Sequence, residues 1–280
     1  MLRTMSRRFF WVVLGALFVL PDSAVRSQGS VKTELEAGLA VPDAGTWRDL
    51  QKGAAIRTLV LERSQPNYNI ELKLMRFNTQ LITPRVLDSG EFQLRSASAK
   101  TFVEKSQAIA AINANYFDER GRPLAYLKTR IREVNRVLSK HSLYTGIFGI
   151  GDAGAFVTHR DEFEPVQASE ALQSGPLLLH RGLPQALNGD LGRYARRAVI
   201  GIDKNGVLIV AVADAVLGGL RLGELQKLFV DSRWQIDTVE LLNLDGGGSA
   251  QLYVKSGKFE EWLPGASEVP VAIGFFNKPN

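Results

Sequence analysis

Short apolar runs with a side-chain period of two, each closed by Gly, Asn or Asp, constrain this chain more than any other feature. In Asn69-Ile70-Glu71-Leu72-Lys73-Leu74, the residues Ile70, Leu72 and Leu74 share one face and polar side chains the other, the alternation of a half-buried strand. A partner run precedes it, Ile56-Arg57-Thr58-Leu59-Val60-Leu61, and further strands are expected at 108–113, 144–149, 154–159, 176–180, 197–202, 207–213, 239–244, 250–255 and 270–276. Asp203-Lys204-Asn205-Gly206 between two of these runs is a hairpin signal. Helical spacing is confined to two places. Ser98 is placed to cap a helix over 99–106 that turns Phe102 and Val103 inward, and Leu222, Leu225, Leu228 and Phe229 line one face of a helix from Leu222 to Trp234. The expected class is α+β: strand-rich mixed or antiparallel sheets with a few packed helices, in a single domain.

The N-terminus has a different chemistry. Arg3, Arg7 and Arg8 precede Phe9 to Leu20, a stretch without charge that is closed by Pro21 and small residues. This pattern fits a secretory signal peptide, and it is shorter than the roughly 20 apolar residues of a membrane-spanning helix. Cleavage is expected after Val25-Arg26-Ser27, with Ala24 the alternative site and an uncleaved anchor the alternative fate. The expected organisation is a signal peptide over 1–27, a lead-in over 28–50 and the functional domain over 51–280, exported to the periplasm or secreted. Removing 1–27 lowers the formal charge from +5 to +2, so most of the basic excess belongs to targeting and gives no reason to expect nucleic acid as a partner. After cleavage no integral anchor is expected.

The chain has no cysteine, which excludes disulfides, thiol nucleophiles and thiolate metal sites. His141, His159 and His180 are far apart in sequence and show no zinc-enzyme spacing.

The polar chemistry gathers at four places. The apolar run Val239-Glu240-Leu241-Leu242 leads into Asn243-Leu244-Asp245-Gly246-Gly247-Gly248-Ser249. Consecutive glycines lose the most backbone entropy on folding. Two readings fit them here: an anion-binding nest of backbone N–H groups beside the Asp245 carboxylate, or a tight turn with an acidic corner. Asn113 and Asn115 follow a small-residue apolar run; at i and i+2 of an extended segment they point to one side, where amides suit sugar hydroxyls, or they are turn residues leading into Asp118. Ser174-Gly175 stand before an apolar run, and Arg197 enters one, as a phosphate clamp or as a solvated surface arginine.

Taken in order, Asn113-Ala114-Asn115-Tyr116-Phe117, Ser174-Gly175-Pro176-Leu177-Leu178, Arg197-Ala198-Val199-Ile200-Gly201, Gly219-Leu220-Arg221-Leu222-Gly223-Glu224-Leu225 and Asn243-Leu244-Asp245-Gly246-Gly247-Gly248-Ser249 resemble the phosphodiester glycosidase family over roughly residues 105–276. The Asp-Gly-Gly-Gly-Ser element and the strand before it are the specific part. The first loop departs from the family pattern. Ala114 and Tyr116 stand where Asn-Gly-x-Phe-Phe is usual, and Leu124-Ala125-Tyr126-Leu127-Lys128 replaces a glycine-rich turn. These departures bear on substrate identity more than on reaction class.

The resemblance implies hydrolysis of the bond between an anomeric carbon and a phosphate oxygen, on a phosphorylated glycan or sugar phosphate. Phosphate leaves more readily than an alcohol, so less general-acid help is needed than the paired carboxyls of ordinary glycosidases provide. Asp245 and Arg197 are then the expected catalytic residues, Asp245 as base for water or as nucleophile. Gly246, Gly247, Gly248 and Ser249 would hold the phosphate, and Asn113, Asn115, Ser174 and Gly175 would hold the substrate around it. No cofactor is required, although Asp245 and Asp118 offer oxygens to a hard divalent cation. The alternatives are a non-catalytic envelope protein that binds a phosphorylated glycan and, with no two acid–base carboxylates in evidence, a hydrolase of simple glycosides.

Overall fold

A computed structural model describes residues 33–187 and 193–279. The expected signal peptide and its cleavage site lie outside the described residues. Three sheets make up the described chain, one of ten strands and two of five, and every strand pairing is antiparallel. Two α-helices accompany them, α1 over Ala99–Ser106 and α2 over Leu222–Val230. The architecture is α+β and strand-rich, in one domain.

The large sheet is covered on both faces. Along the strand Leu208–Asp214, the side chains of Leu208, Val210 and Val212 enter a core shared with the two smaller sheets. Ile209, Ala211 and Ala213 enter a second core on the opposite face, with Leu225, Leu228 and Phe229 of α2. Burial on both faces explains why this stretch reads as a continuous apolar run instead of alternating. Helix α1 packs Phe102 and Val103 on Ala111, Tyr253 and Ala272 of a five-stranded sheet. Its N-cap is Ser98, whose hydroxyl accepts from Thr101 N–H at 3.1 Å.

The differences from the sequence reading have local causes. Helix α2 ends at Val230, short of Trp234, because the Asp231 carboxylate accepts the Arg233 N–H at 3.0 Å and starts a separate 3₁₀ turn, Ser232–Trp234. The expected lead-in is strand from Thr33 onward: Thr33–Glu36, Leu39–Asp43 and Arg48–Gln51 all join the large sheet. Strand Ile82–Asp88 escapes pattern reading because it contains Pro84, which is tolerated there because the strand lies at a sheet edge. Its counterpart at the other edge of that sheet, Phe259–Leu263, exposes Glu260 and pairs the half-buried Glu261 with Lys73 at 3.0 Å.

The strand Thr238–Asn243 matters most for function. It lies inside the large sheet between Arg197–Asp203 and Leu177–His180. Its end therefore meets Arg197 on one side and the loop of Ser174 and Gly175 on the other.

Candidate active site

The Asp245 turn is gripped by a strand of another sheet. Asp245 N–H donates to the Ala114 carbonyl at 2.9 Å, and Asn113 Nδ2 donates to the Asp245 carbonyl at 2.7 Å. Asn113 Oδ1 accepts from Gln251 N–H at 3.1 Å. With both ends of its amide on backbone and no exposed surface, Asn113 braces the turn rather than reaching for a sugar. The amide follows the strand Ala110–Asn113 into the interior, where unpaired backbone groups are costly.

Two of the three glycine N–H groups are already engaged within the protein. Gly246 N–H and the Ser249 hydroxyl hydrogen-bond the Asp245 carboxylate. Gly247 N–H donates to the Arg196 carbonyl at 2.9 Å, and Gly248 accepts from Ser267 N–H at 3.1 Å. Gly247 has φ +57°, which favours glycine. Gly246 is required by a close approach: a Cβ there would sit 2.8 Å from the Arg196 oxygen. The turn thus lies on the Arg196–Arg197 backbone and directs two donors at its own carboxylate. Even with those donors, burial pushes the Asp245 carboxyl up from 3.8 to about 6. Among the described residues no cation and no second carboxylate acts on it.

Arg197 lies alongside. Its Cδ is 3.9 Å from the position a Cβ on Gly246 would occupy. Its Nε donates to the Leu220 carbonyl at 2.8 Å and an Nη donates to the Arg193 carbonyl at 2.7 Å. No carboxylate among the described residues pairs with it. Burial pulls its pKa down, and the nearby positive charge of Arg193 adds to this, against the smaller opposing pull of the Tyr116 phenol and the Glu224 carboxylate. A half-buried guanidinium held by two carbonyls and paired with no anion is an arrangement suited to an incoming one.

On the opposite side stands a knot of neutral polar groups. The Tyr116 hydroxyl donates to the Gly175 carbonyl at 3.0 Å and accepts from Asn243 Nδ2 at 3.0 Å. Asn243 Nδ2 also donates to the carbonyls of Gly175 and Leu244, each at 2.8 Å. Carbonyl partners force the nitrogen to that side, so Asn243 Oδ1 faces away from them; Asn115 is fixed likewise by its bond to the Tyr116 carbonyl at 3.3 Å. Asn243 Oδ1, Asn115 Oδ1 and Ser174 Oγ are all buried without a hydrogen-bond partner. Two unpartnered amide oxygens and a hydroxyl beside one knot call for a donor, which a buried water or a ligand hydroxyl supplies. Gly175 is needed where it stands, since a Cβ there would come within 2.0 Å of the Leu143 carbonyl oxygen. Tyr144 stacks at a tilt on Tyr116, centroids 5.4 Å apart, with His141 beyond it at 5.3 Å. Burial and then the Asp245 charge raise the Tyr116 and Tyr144 phenols above their ordinary range, so both remain protonated donors.

Of the residues expected at the site, Asp245, Arg197, Gly246 to Ser249, Asn115, Ser174 and Gly175 converge around the end of Thr238–Asn243, and Asn113 supports them from behind. Tyr116 and Asn243 stood inside quoted motifs without a role. Tyr144 is expected only as the first residue of a strand over 144–149; the strand starts at Gly146, and the segment Ser139–Thr145 folding onto Gln173 brings Tyr144 to the site. The Asp118 carboxylate is engaged by Arg122 and by the N–H groups of Arg120 and Arg122. Among the described residues no group of three or more His, Asp or Glu is arranged to hold a metal ion.

An α+β domain whose inner strand ends in an Asp-Gly-Gly-Gly-Ser turn, beside an unpaired guanidinium and a row of orphaned acceptors, is of a class suited to a polar, anionic ligand. The chain belongs to the phosphodiester glycosidase family, whose model matches residues 106–276. Solved structures that share the fold include these two. A Synechocystis protein superposes with a TM-score of 0.63 at 16% identity, covering 85% of this chain and 65% of its own. The zebrafish N-acetylglucosamine-1-phosphodiester alpha-N-acetylglucosaminidase catalytic domain, auto-inhibited by its pro-peptide, superposes with a TM-score of 0.62 at 15% identity, covering 90% and 87% respectively. No curated protein matches the chain by sequence.

Proposed function

We propose that this chain is an exported hydrolase that cleaves the glycosidic bond of a sugar-1-phosphodiester, releasing free sugar and a phosphomonoester. The observation that carries the reading is the pairing of opposites at the end of one strand: a carboxylate with no ion-pair partner among the described residues and, alongside, a guanidinium held by carbonyls with no carboxylate in contact. In an empty site such charges attract each other. Here Arg197 is drawn off by two carbonyls and Asp245 by Gly246 and Ser249, which leaves both charges unneutralised for a ligand that is anionic at one end and becomes cationic at the other.

In this reading Arg197 faces the phosphate and neutralises charge growing on the departing oxygen. Asn115, Ser174 and Asn243 accept hydrogen bonds from sugar hydroxyls. Asp245 faces the anomeric carbon, where positive charge develops. When it acts as base for water, the C1–O bond breaks with its electron pair going to the phosphate oxygen. Water supplies the new hydroxyl at C1, and its proton passes to Asp245. With its pKa near 6, Asp245 is mostly ionised at neutral pH and basic enough to take that proton. The lack of a second carboxylate acting on Asp245 agrees with a leaving group that needs little protonation.

Export rests on the basic and apolar pattern of residues 1–27 alone. No helix of the described residues is long and apolar enough to cross a membrane.

The test is incubation with a panel of sugar-1-phosphodiesters, measuring reducing sugar and phosphomonoester in equal amounts. Asp245→Asn should abolish turnover, and Arg197→Met should raise KM by tenfold or more while the protein stays folded. Near-normal turnover by Asp245→Asn removes the carboxylate from the mechanism. Binding of the diesters without turnover by the wild type makes the protein a binder instead.

A further inference from the structure

Of the five motifs in order along the chain, Gly219-Leu220-Arg221-Leu222-Gly223-Glu224-Leu225 is the one that lends no side chain to the site. It holds instead a buried carboxylate, Glu224, at the third position of α2. Taking the Arg221 N–H at 2.8 Å is ordinary helix capping from that position. The other partners are not ordinary. The same carboxylate accepts from Arg221 Nε at 3.0 Å and from Arg63 Nη at 2.7 Å, and Arg63 stands on the strand Ala54–Ser64, 161 positions away. A buried ion pair adds little stability over an apolar pair of its volume, so its purpose is sought in what it holds.

It holds the two segments whose carbonyls grip Arg197, Leu220 at Nε and Arg193 at Nη. Leu220 lies between Gly219 and Arg221. Arg221 is bonded to Glu224 through backbone and side chain. The Gly219 carbonyl accepts from Arg63 Nη at 3.4 Å and from the Tyr68 hydroxyl at 3.0 Å, which itself accepts from Arg63 Nε at 2.9 Å. Arg193 is followed by Tyr194, and both guanidiniums on Glu224 lie over that ring, Arg63 at 4.2 Å from its centroid and Arg221 at 5.4 Å. The segments also join directly. Leu220 N–H donates to the Ala195 carbonyl at 2.9 Å, and a Cβ on Gly219 would come within 2.1 Å of the same oxygen. One carboxylate therefore stands behind both carbonyls. Its charge reaches Arg197 as well, favouring the protonated guanidinium against burial. A guanidinium is a rigid fork, so tying down Nε and one Nη sets where its other donors face.

We infer that Glu224 is a positioning residue for Arg197: through Arg63 and Arg221 it fixes the Leu220 and Arg193 carbonyls, and so aims the guanidinium at the phosphate of the substrate. The phosphate rests on the phosphodiester reading above; the positioning does not.

The test is a double-mutant cycle on the KM for a sugar-1-phosphodiester, at a temperature at which every variant is folded by circular dichroism. Glu224→Gln should raise KM by about threefold or more in the wild type. In an Arg197→Met background it should leave KM unchanged to within a factor of about two, because the residue it acts through is gone. Tyr194→Leu, at an exposed ring, leaves the ion pair intact and should depend on Arg197 in the same way, which keeps the test open if Glu224→Gln does not fold. The same factor in both backgrounds, or no change in either, makes the ion pair purely structural and overturns the inference. A second readout needs no turnover: the Arg197 Nε–H signal in a 15N spectrum, assigned by its loss in Arg197→Met, should exchange with water faster in Glu224→Gln. A wild type that cleaves no diester overturns the phosphodiester reading alone. The Nε–H signal then decides, and an unchanged exchange rate overturns the positioning.

Discussion

Asp245→Asn should yield an inactive protein that is more stable than the wild type. Burial raises the carboxyl from 3.8 to about 6 in the folded state, a displacement of about 2 pK units, so holding the charge there at neutral pH costs about 3 kcal/mol. Asparagine carries no charge and recovers part of this. Its oxygen accepts from one of the two donors, Gly246 N–H or Ser249 hydroxyl, and its NH₂ faces the other, so a net gain of about 1–2 kcal/mol is expected. For a domain of this size that corresponds to about 3–6 °C in Tm. The sign of the pH dependence makes the argument specific. Below about pH 4 the wild-type carboxyl is protonated both folded and unfolded, the cost of the buried charge is gone, and the variant should be the less stable of the two by the hydrogen bond its amide cannot make. Between about pH 4 and 6 the folded wild type retains a proton that the unfolded chain has released, so its stability falls as pH rises and the order reverses; above that the gap is constant. Thermal or urea melts of both proteins from pH 4 to 8 provide the measurement. A variant less stable than wild type at neutral pH, or a gap of the same size at every pH, would refute a desolvated catalytic carboxylate.

Two other perturbations test the frame around the site. Burial draws the His180 imidazole down, but hydrogen bonds to Glu240 at 2.9 Å and Glu162 at 3.2 Å carry it above 6.5. Its contribution to stability should be complete below about pH 6.5 and lost as pH rises through the folded value, which NMR titration of the ring and melts of His180→Gln against pH would check; a ring titrating below 6.5 contradicts it. Glu224 and Arg63 form an ion pair at 2.7 Å with side chains 1% and 3% exposed, so Glu224→Gln should strand a buried guanidinium and lower stability by about 3 kcal/mol. Unchanged urea melts for that variant would show that Arg63 finds another partner.

How much of this was legible in the sequence can be followed residue by residue. Ile70, Leu72 and Leu74 announced their strand because strand side chains alternate within a few residues, and the burial that selects them repeats at the same short period. The spacing of Leu222, Leu225, Leu228 and Phe229 announced α2 in the same way. The Asp-Gly-Gly-Gly-Ser turn could be found because three glycines persist only where backbone must bend or come close, and here Gly246 and Gly247 meet both conditions. Strand Ile82–Asp88 could not be found, since Pro84 disqualifies a central strand and only the sheet order reveals an edge.

The roles inside the site belonged to tertiary structure almost entirely. Asn113 and Asn115 look alike in sequence, yet one amide ties down the Asp245 carbonyl 132 positions away and the other leaves its oxygen without a partner. The lifted pKa of Asp245, the lack of a carboxylate in contact with Arg197 and the arrival of Tyr144 each depend on segments that meet only when three sheets close around one core. Local pattern records which side of the backbone is buried, because that is set within a few residues. It carries no record of which distant carbonyl takes a donor or which charge lies within range, and those decide what a carboxylate or a guanidinium can do.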